Sequence, residues 1–329
     1  MPFPVRATLG VGPQAKNTFC LAEGYQAFVS QHIGDLDSIE TLDHLEHTIE
    51  LYESLFRIDP AIIAHDLHPD YASTLLGRRL ASEKRLIRPV QHHHAHIVSC
   101  MVENKVDQEV IGVAFDGSGL GTDGHIWGGE FLVCDAVNSR RVGHLENLPL
   151  PGGDAAVLRP YRIAAAYVLR LLGGHRLQDS SHVSTALSHD ERRVLERQVE
   201  TGFNTPLTSS MGRLFDVIAA LTGVRQTIDY DGQAAIELEM IAHDYRGASP
   251  GGRYKFVLEH RDGVRVVRVA PVLDAVLCDV KAGVPVPLIS SSFHEAVVDL
   301  TIDVCASISM DTGIRTVALS GGVFQNRIL

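Results

Sequence analysis

His92 and His96 are four residues apart in Gln91-His92-His93-His94-Ala95-His96. On a helix that spacing puts both imidazoles on one face, within reach of a single cation. The alternative is a polar helix end with solvated histidines. Two neighbouring features favour metal: the histidines adjoin the apolar strand Val110 to Phe115, and that strand ends in Asp116. A carboxylate at a strand tip supplies a hard third ligand to a borderline metal, which zinc and iron both satisfy. His93 and His94 point elsewhere on the helix and are read as substrate-contacting or surface residues. After the strand comes Asp116-Gly117-Ser118-Gly119-Leu120-Gly121, in which backbone amides could approach a phosphate unobstructed by β-carbons. A flexible hairpin tip is the competing reading. The segment has no P-loop Lys-Ser/Thr ending and lacks the helix that a dinucleotide fingerprint needs. A second glycine turn, Ser320-Gly321-Gly322, follows the strand Thr316 to Leu319, and Val323 to Leu329 is expected to begin a helix offering amides to an anion. Asp216 and Glu237 sit in helical stretches, either as solvated charges or as acceptors for ribose hydroxyls. Asp154, in Pro151-Gly152-Gly153-Asp154, ends a turn or binds substrate. No GxSxG elbow occurs.

These residues need elements to hold them. Thr41 to Ile58 carries an apolar stripe at helical spacing and is stopped by Pro60; Ile62 to Asp66 follows as a short buried strand. A second helical stretch runs from Tyr71 to Arg85. The nine residues Asp116 to Gly124 link strand 110–115 to strand 126–134 as a long glycine-rich tip. Pro160 opens a helix closed by Gly173-Gly174, His175 to Thr208 is a helical insertion, and helices follow at Met211 to Leu221 and Ala234 to His243. Tyr254 to Val269 forms a hairpin around Asp262-Gly263, and Phe293 to Ile308 is helical, capped by Gly313. Two glycine turns on β-rich edges suggest the facing lobes of an actin-like nucleotide-binding fold, an α/β architecture divided at 1–155 and 156–329.

Composition narrows the function. With 329 residues, 45% hydrophobic and 21% charged, the chain has the makeup of a folded globular protein. Its 29 basic and 40 acidic residues give a net charge of -11, which argues against a surface that binds nucleic acid nonspecifically. Cys20, Cys100, Cys134, Cys278 and Cys305 are scattered without a CxxC pair, so no zinc ribbon or disulfide framework is expected, and a cytoplasmic setting fits. No run approaches the length of a membrane span.

Taken together, Lys16 to Cys20, Ser30 to Asp35, Ala64 to Tyr71, Val90 to His96, Phe115 to Gly129, Pro151 to Asp154, Tyr230 to Glu239 and Leu319 to Arg327 resemble the C-terminal TsaD-like domain of the HypF carbamoyltransferase family. The resemblance runs along essentially the whole chain. It implies an ASKHA (actin and sugar-kinase-like), TsaD-like fold with a mononuclear metal beside an adenylate. It also implies transfer of a carbamoyl group from ATP-derived carbamoyl-adenylate to the C-terminal cysteine of HypE, toward the cyanide ligands of [NiFe] hydrogenase. It places the metal on His92, His96 and Asp116, and the nucleotide on Asp216, Gly232, Gly321, Gly322 and Asn326. Gly117 and Gly119 join that set through the glycine-loop reading. The acylphosphatase-like and YrdC-like domains are expected to act in cis or in trans. The family also continues into an Asn-Asp-Gly-Gly segment whose aspartate completes the metal shell. The chain is therefore read as truncated and one ligand short. A tRNA threonylcarbamoyl transferase of the TsaD type and a noncatalytic fragment are the competing readings.

Overall fold

The computed structural model describes residues 1–243, 245 and 252–329. They form two compact units: Met1–Gln108 with Leu120–Thr122, and Glu109–Gly119 with Asp123–Leu329. The division falls at Gln108/Glu109 instead of at 155, because the strands that follow Glu109 join one sheet with strands from much later in the chain.

The first unit is a five-stranded sheet. Its strands are β1 (Val5–Gly10), β2 (Cys20–Gly24), β3 (Gln26–Val29), β4 (Ile62–Asp66) and β5 (Leu86–Val90), in the order β3-β2-β1-β4-β5. β1 pairs antiparallel with β2 and parallel with β4, which pairs parallel with β5. Its helices are α1 (Ile39–Phe56), α2 (Ala72–Leu80) and α3 (His92–Glu103). Ser38 caps α1 by accepting a hydrogen bond from the Thr41 amide at 3.2 Å. Leu9, Leu21 and Ile63 from the sheet pack with Leu45 and Ile49 of α1 and Leu76 of α2 in one buried cluster. Helix α2 ends at Leu80, five residues short of the expected Arg85.

The second unit holds an eight-stranded sheet: β6 (Val110–Leu120), β7 (Ile126–Cys134), β8 (Ser139–Leu145), β9 (Leu148–Pro149), β10 (Leu207–Thr208), β11 (Val257–Arg261), β12 (Val264–Arg268) and β13 (Val317–Ser320). β13 runs parallel to β6, pairing Val317 with Ile111 and Ser320 with Ala114. Its helices are α4 (Asp154–Val157), α5 (Pro160–Leu171), α6 (Ser181–Ala186), α7 (His189–Thr201), α8 (Met211–Leu221), α9 (Gln233–His243), α10 (Ala270–Lys281) and α11 (Val286–Thr312). The insertion between α5 and β10 is helical, as its pattern implies. Every residue of α8 is buried. It packs with α5 and α11 through Phe215, Tyr167 and Phe293 in the main core.

Two local expectations are corrected. The glycine-rich segment is not a nine-residue tip, because β6 continues through Leu120 and leaves a short connection to β7. After Ser320, the chain makes a four-residue 3-10 turn, Gly322–Gln325, instead of an α-helix. Phe324 holds that turn by stacking on Phe115, ring centroids 5.3 Å apart. The Asn326 side chain closes it, its Oδ1 accepting from the Ile328 amide at 2.9 Å.

Candidate functional site

In the first unit, His92 opens α3, and Gln91 caps it by accepting from the His94 amide at 2.8 Å. The periodicity of one helical turn brings the His92 and His96 rings to 4.9 Å between centroids. His92 Nδ1 lies 2.7 Å from Asp66 Oδ2, at the end of β4. A carboxylate at Nδ1 fixes the proton there and makes Nε2 the ligating nitrogen, which is how metal-bound histidines are oriented. Burial pushes the Asp66 carboxyl up. Hydrogen bonds from His92 and the His68 amide, with the charge of those imidazoles, outweigh it and hold the group below its ordinary value. The donor set therefore fits a borderline divalent metal. Sequence reasoning placed Asp66 at the end of a short strand without assigning it this role; that position, in a His-Asp pair, was the available signal. For His93 and His94 the surface alternative is corrected. Both are buried, on the side of α3 that carries Ile97, so neither is a surface residue.

In the second unit, Asp116 sits where several backbones converge. Its Oδ1 accepts from the Gly117 amide at 2.8 Å and the Gly322 amide at 3.3 Å. Its carbonyl accepts from Ser210 Oγ at 2.7 Å. A β-carbon at Gly128 would stand 2.6 Å from the Asp116 carbonyl oxygen, and one at Gly212 would stand 3.0 Å from Gly117 Cα. Gly321 has φ +101° and ψ 161°, a region open essentially only to glycine. A β-carbon there would lie 2.3 Å from the Phe115 carbonyl oxygen. Gly321→Ala is accordingly expected to cost ~3 kcal/mol or more from strain plus overlap. A denaturant midpoint within error of the parent would contradict this account of the turn.

Beneath Gly117 lies a residue that sequence reasoning missed. Arg213 is buried, and its Nη2 lies 3.4 Å from the position of a β-carbon on Gly117 and 3.4 Å from Asp231 Oδ1. Its Nε is 3.2 Å from Asp216 Oδ2, an ion pair whose alignment falls short of a hydrogen bond. Burial raises the Asp216 carboxyl to about 6 despite the opposing charge of Arg213. Asp216 is thus fully enclosed and acts on its surroundings through Arg213. The signal was a basic residue three positions before an acid within an all-apolar helix.

The remaining candidates divide. Gly119 is buried within β6, and Gly232, with φ +81°, turns the chain into α9. Glu237 is taken by Arg225, whose Nε donates to Oε2 at 2.8 Å, and by Gln233. The amide of Asn326 is also used internally. His294 Nδ1 faces the Ser290 carbonyl at 2.8 Å, leaving Nε2 to accept from Asn326 Nδ2 at 2.9 Å. Asp154 begins the short helix α4.

Comparison with known proteins places the chain in a family. Residues 4–103 match the family model described as the HypF Kae1-like domain. Residues 112–329 match the one described as the carbamoyltransferase Kae1-like domain, second subdomain. Carbamoyltransferase HypF2 of Cupriavidus necator is 37% identical over 98% of this chain and 42% of its own length. A HypF homolog from the same organism is 39% identical, covering 98% of this chain and 82% of its own length. A crystal structure of full-length HypF in a phosphate- and nucleotide-bound form superposes with a TM-score of 0.91 at 40% identity, covering 99% of this chain and 50% of that one. The chain spans less than half the length of the first of these relatives.

Proposed function

We propose a specific reaction from the premise that this chain belongs to the HypF carbamoyltransferase family and has its Kae1-like, ASKHA-type fold. The reaction is transfer of the carbamoyl group of carbamoyl-adenylate to the C-terminal cysteine of HypE. The acceptor thiol, having lost its proton to solvent, adds to the carbamoyl carbon. A C–S bond forms, the C–O bond to phosphate breaks, and AMP leaves with the electron pair. Making carbamoyl-adenylate falls to the acylphosphatase-like and YrdC-like domains, in cis or in trans.

The observation that carries this reading is the His92–His96 pair on one turn of α3 with the Asp66 carboxylate behind His92. His92 and His96 would hold a divalent ion, zinc or iron, with Asp116 as a third ligand. When bound, the ion supplies Lewis-acid polarisation of the carbamoyl or phosphate oxygens. The Gly321 backbone and the Arg213 guanidinium would supply donors suited to the adenylate phosphate, the Gly117 and Gly322 amides being engaged by Asp116 Oδ1.

Three of the chain's own thiols make poor nucleophiles. Burial pushes Cys134 up to about 12 and Cys305 up to about 11, and also raises Cys20. These thiols stay protonated at neutral pH, which suits an acceptor arriving from outside. No helix among the described residues is long and apolar enough to cross a membrane.

The test supplies carbamoyl-adenylate with HypE and follows the mass of its C-terminal peptide. A carbamoyl adduct on the cysteine is expected. Label appearing on tRNA instead would favour a threonylcarbamoyl-type acceptor, and adenylate binding without any transfer would favour a noncatalytic role.

A further inference from the structure

Helix α11 carries a histidine in its buried stripe. His294 is fully buried beside Phe293 and the Phe215 ring of α8, whose centroid is 5.2 Å away at an interplanar angle of 72°. A histidine costs more to bury than the leucine or phenylalanine such a stripe ordinarily holds, unless both of its nitrogens find partners. Here both do. Nδ1 donates to the Ser290 carbonyl one turn earlier, which leaves the Nε2 lone pair as an acceptor for Asn326 Nδ2. Burial pushes the imidazole below its ordinary value, against the Ser290 hydrogen bond and the charge of Glu239 on α9, so the ring stays neutral and keeps that lone pair.

The lone pair decides which way the Asn326 amide faces. With Nδ2 turned to His294, Oδ1 accepts from the Ile328 amide at 2.9 Å and from the Leu329 amide at 3.4 Å. The reversed amide would set Oδ1 against the Nε2 lone pair and Nδ2 against two N–H groups, so acceptor would meet acceptor and donor would meet donor. One orientation is left. From Asn326 the hydrogen bonds run back through the turn: its backbone amide donates to the Val323 carbonyl at 3.1 Å, and the Phe324 amide donates to the Gly321 carbonyl at 3.1 Å. Beyond it, the Arg327 amide donates to Glu239 Oε1 at 2.9 Å. His294 thus touches the supports of both proposed phosphate donors. Phe215 stands two residues after Arg213 on α8, and Asn326 closes the turn that Gly321 opens.

We infer that His294 is a positioning residue for nucleotide binding: through Nε2 it orients the Asn326 amide and so fixes the Gly321 to Gln325 turn in the form that meets a phosphate. The inference rests on the adenylate reading proposed above. It gives the two ring nitrogens different duties, and two conservative variants separate them. His294→Gln carries its amide about as far from the backbone as Nε2, so its Oε1 can accept from Asn326. His294→Asn reaches only as far as Nδ1 and leaves Asn326 without an acceptor. Both discard the ring and its contact with Phe215, so that loss of packing is common to the two. Asn326→Ala removes the partner from a half-buried position outside α11. The variants are made in the full chain and compared where circular dichroism shows the native fold. Two quantities are read: amide hydrogen exchange of the peptide spanning residues 321–329, without nucleotide, and affinity for AMP. His294→Gln is expected to keep the protection of that peptide and to bind AMP within about twofold of the parent, the spread of changes that do not couple. His294→Asn and Asn326→Ala are each expected to lose protection there and to weaken AMP binding by about tenfold, as when the competent turn falls to roughly one tenth of the population. The double variant His294→Asn/Asn326→Ala is expected to lose no more than either alone, because both remove the same hydrogen bond.

Protection retained in His294→Asn would overturn the inference. Protection lost equally in His294→Gln and His294→Asn would do so too, by making the ring a packing residue only. Additive losses in the double variant, or a turn that exchanges freely while AMP binds as tightly as in the parent, would have the same result. A parent chain that binds no AMP would defeat the phosphate site and the inference with it, whereas binding by the parent with the wrong order of variants would defeat His294 alone.

Discussion

His96→Ala is expected to abolish stoichiometric metal binding and to lower carbamoyl transfer by about 100-fold or more, with the fold intact. The imidazole is half-buried at the start of α3 and lies outside the hydrophobic cluster of its unit, so its removal leaves that cluster unchanged. A graded companion variant sharpens the test. Asp66→Asn keeps the shape beside His92 but replaces the carboxylate at Nδ1. Loss of an outer-shell partner of this kind typically costs 10–100-fold in metal affinity. The expected order is therefore parent tightest, Asp66→Asn intermediate, and His96→Ala and His92→Ala weakest, read by metal analysis after dialysis against a chelator. Full metal content in a His92→Ala/His96→Ala double variant would remove the ligand assignment. Transfer retained in a variant shown to be metal-free would remove the metal's role while leaving the fold untouched.

How far this site could be read from sequence depends on which forces fix each part. The His92/His96 pair was legible because helix periodicity is local: four residues of spacing become one shared face whatever surrounds the helix. Helix α8 was legible for the same reason, and its observed bounds coincide with those its pattern implies. The strands β1 to β3 were not predicted. Their residues are mostly intermediate or exposed, so no clean alternation marks them, and the pairing of β1 with β4 is nonlocal. The glycine segment after Asp116 misled in a specific way. Glycine reads as turn chemistry, whereas here it continues a strand and lets other backbones come close. The C-terminal turn was misread because tertiary contacts of Phe324 and Asn326 override whatever helical preference the short segment has. The role of Arg213 depends on burial, which its spacing from Asp216 in an otherwise apolar helix hints at but does not fix.

That arginine gives the second large effect. Arg213→Met leaves the Asp216 carboxylate enclosed without its countercharge, and breaking a buried pair from one side costs about 3–5 kcal/mol. The pH dependence carries a sign. Because Asp216 titrates near 6 in the folded chain and near 3.8 when free, the folded state holds its proton more tightly. Stability contributed by this group is therefore present at low pH and is lost as pH rises from about 3.8 to about 6. In Arg213→Met the decline is expected to steepen and to extend to higher pH, since the folded carboxyl rises further. Asp216→Asn is expected to flatten it. Replacing both partners with apolar residues, Arg213→Met/Asp216→Leu, is expected to recover most of the lost stability, because desolvation is then no longer required of either charge. The double variant separates packing from function. If Arg213 also serves the adenylate phosphate beneath Gly117, nucleotide affinity remains down by about tenfold or more in a chain that is again stable, as expected for loss of a charge-assisted hydrogen bond. Nucleotide affinity that returns together with stability would make Arg213 a purely structural counterion to Asp216, and the phosphate donors would then reduce to the glycine backbone alone.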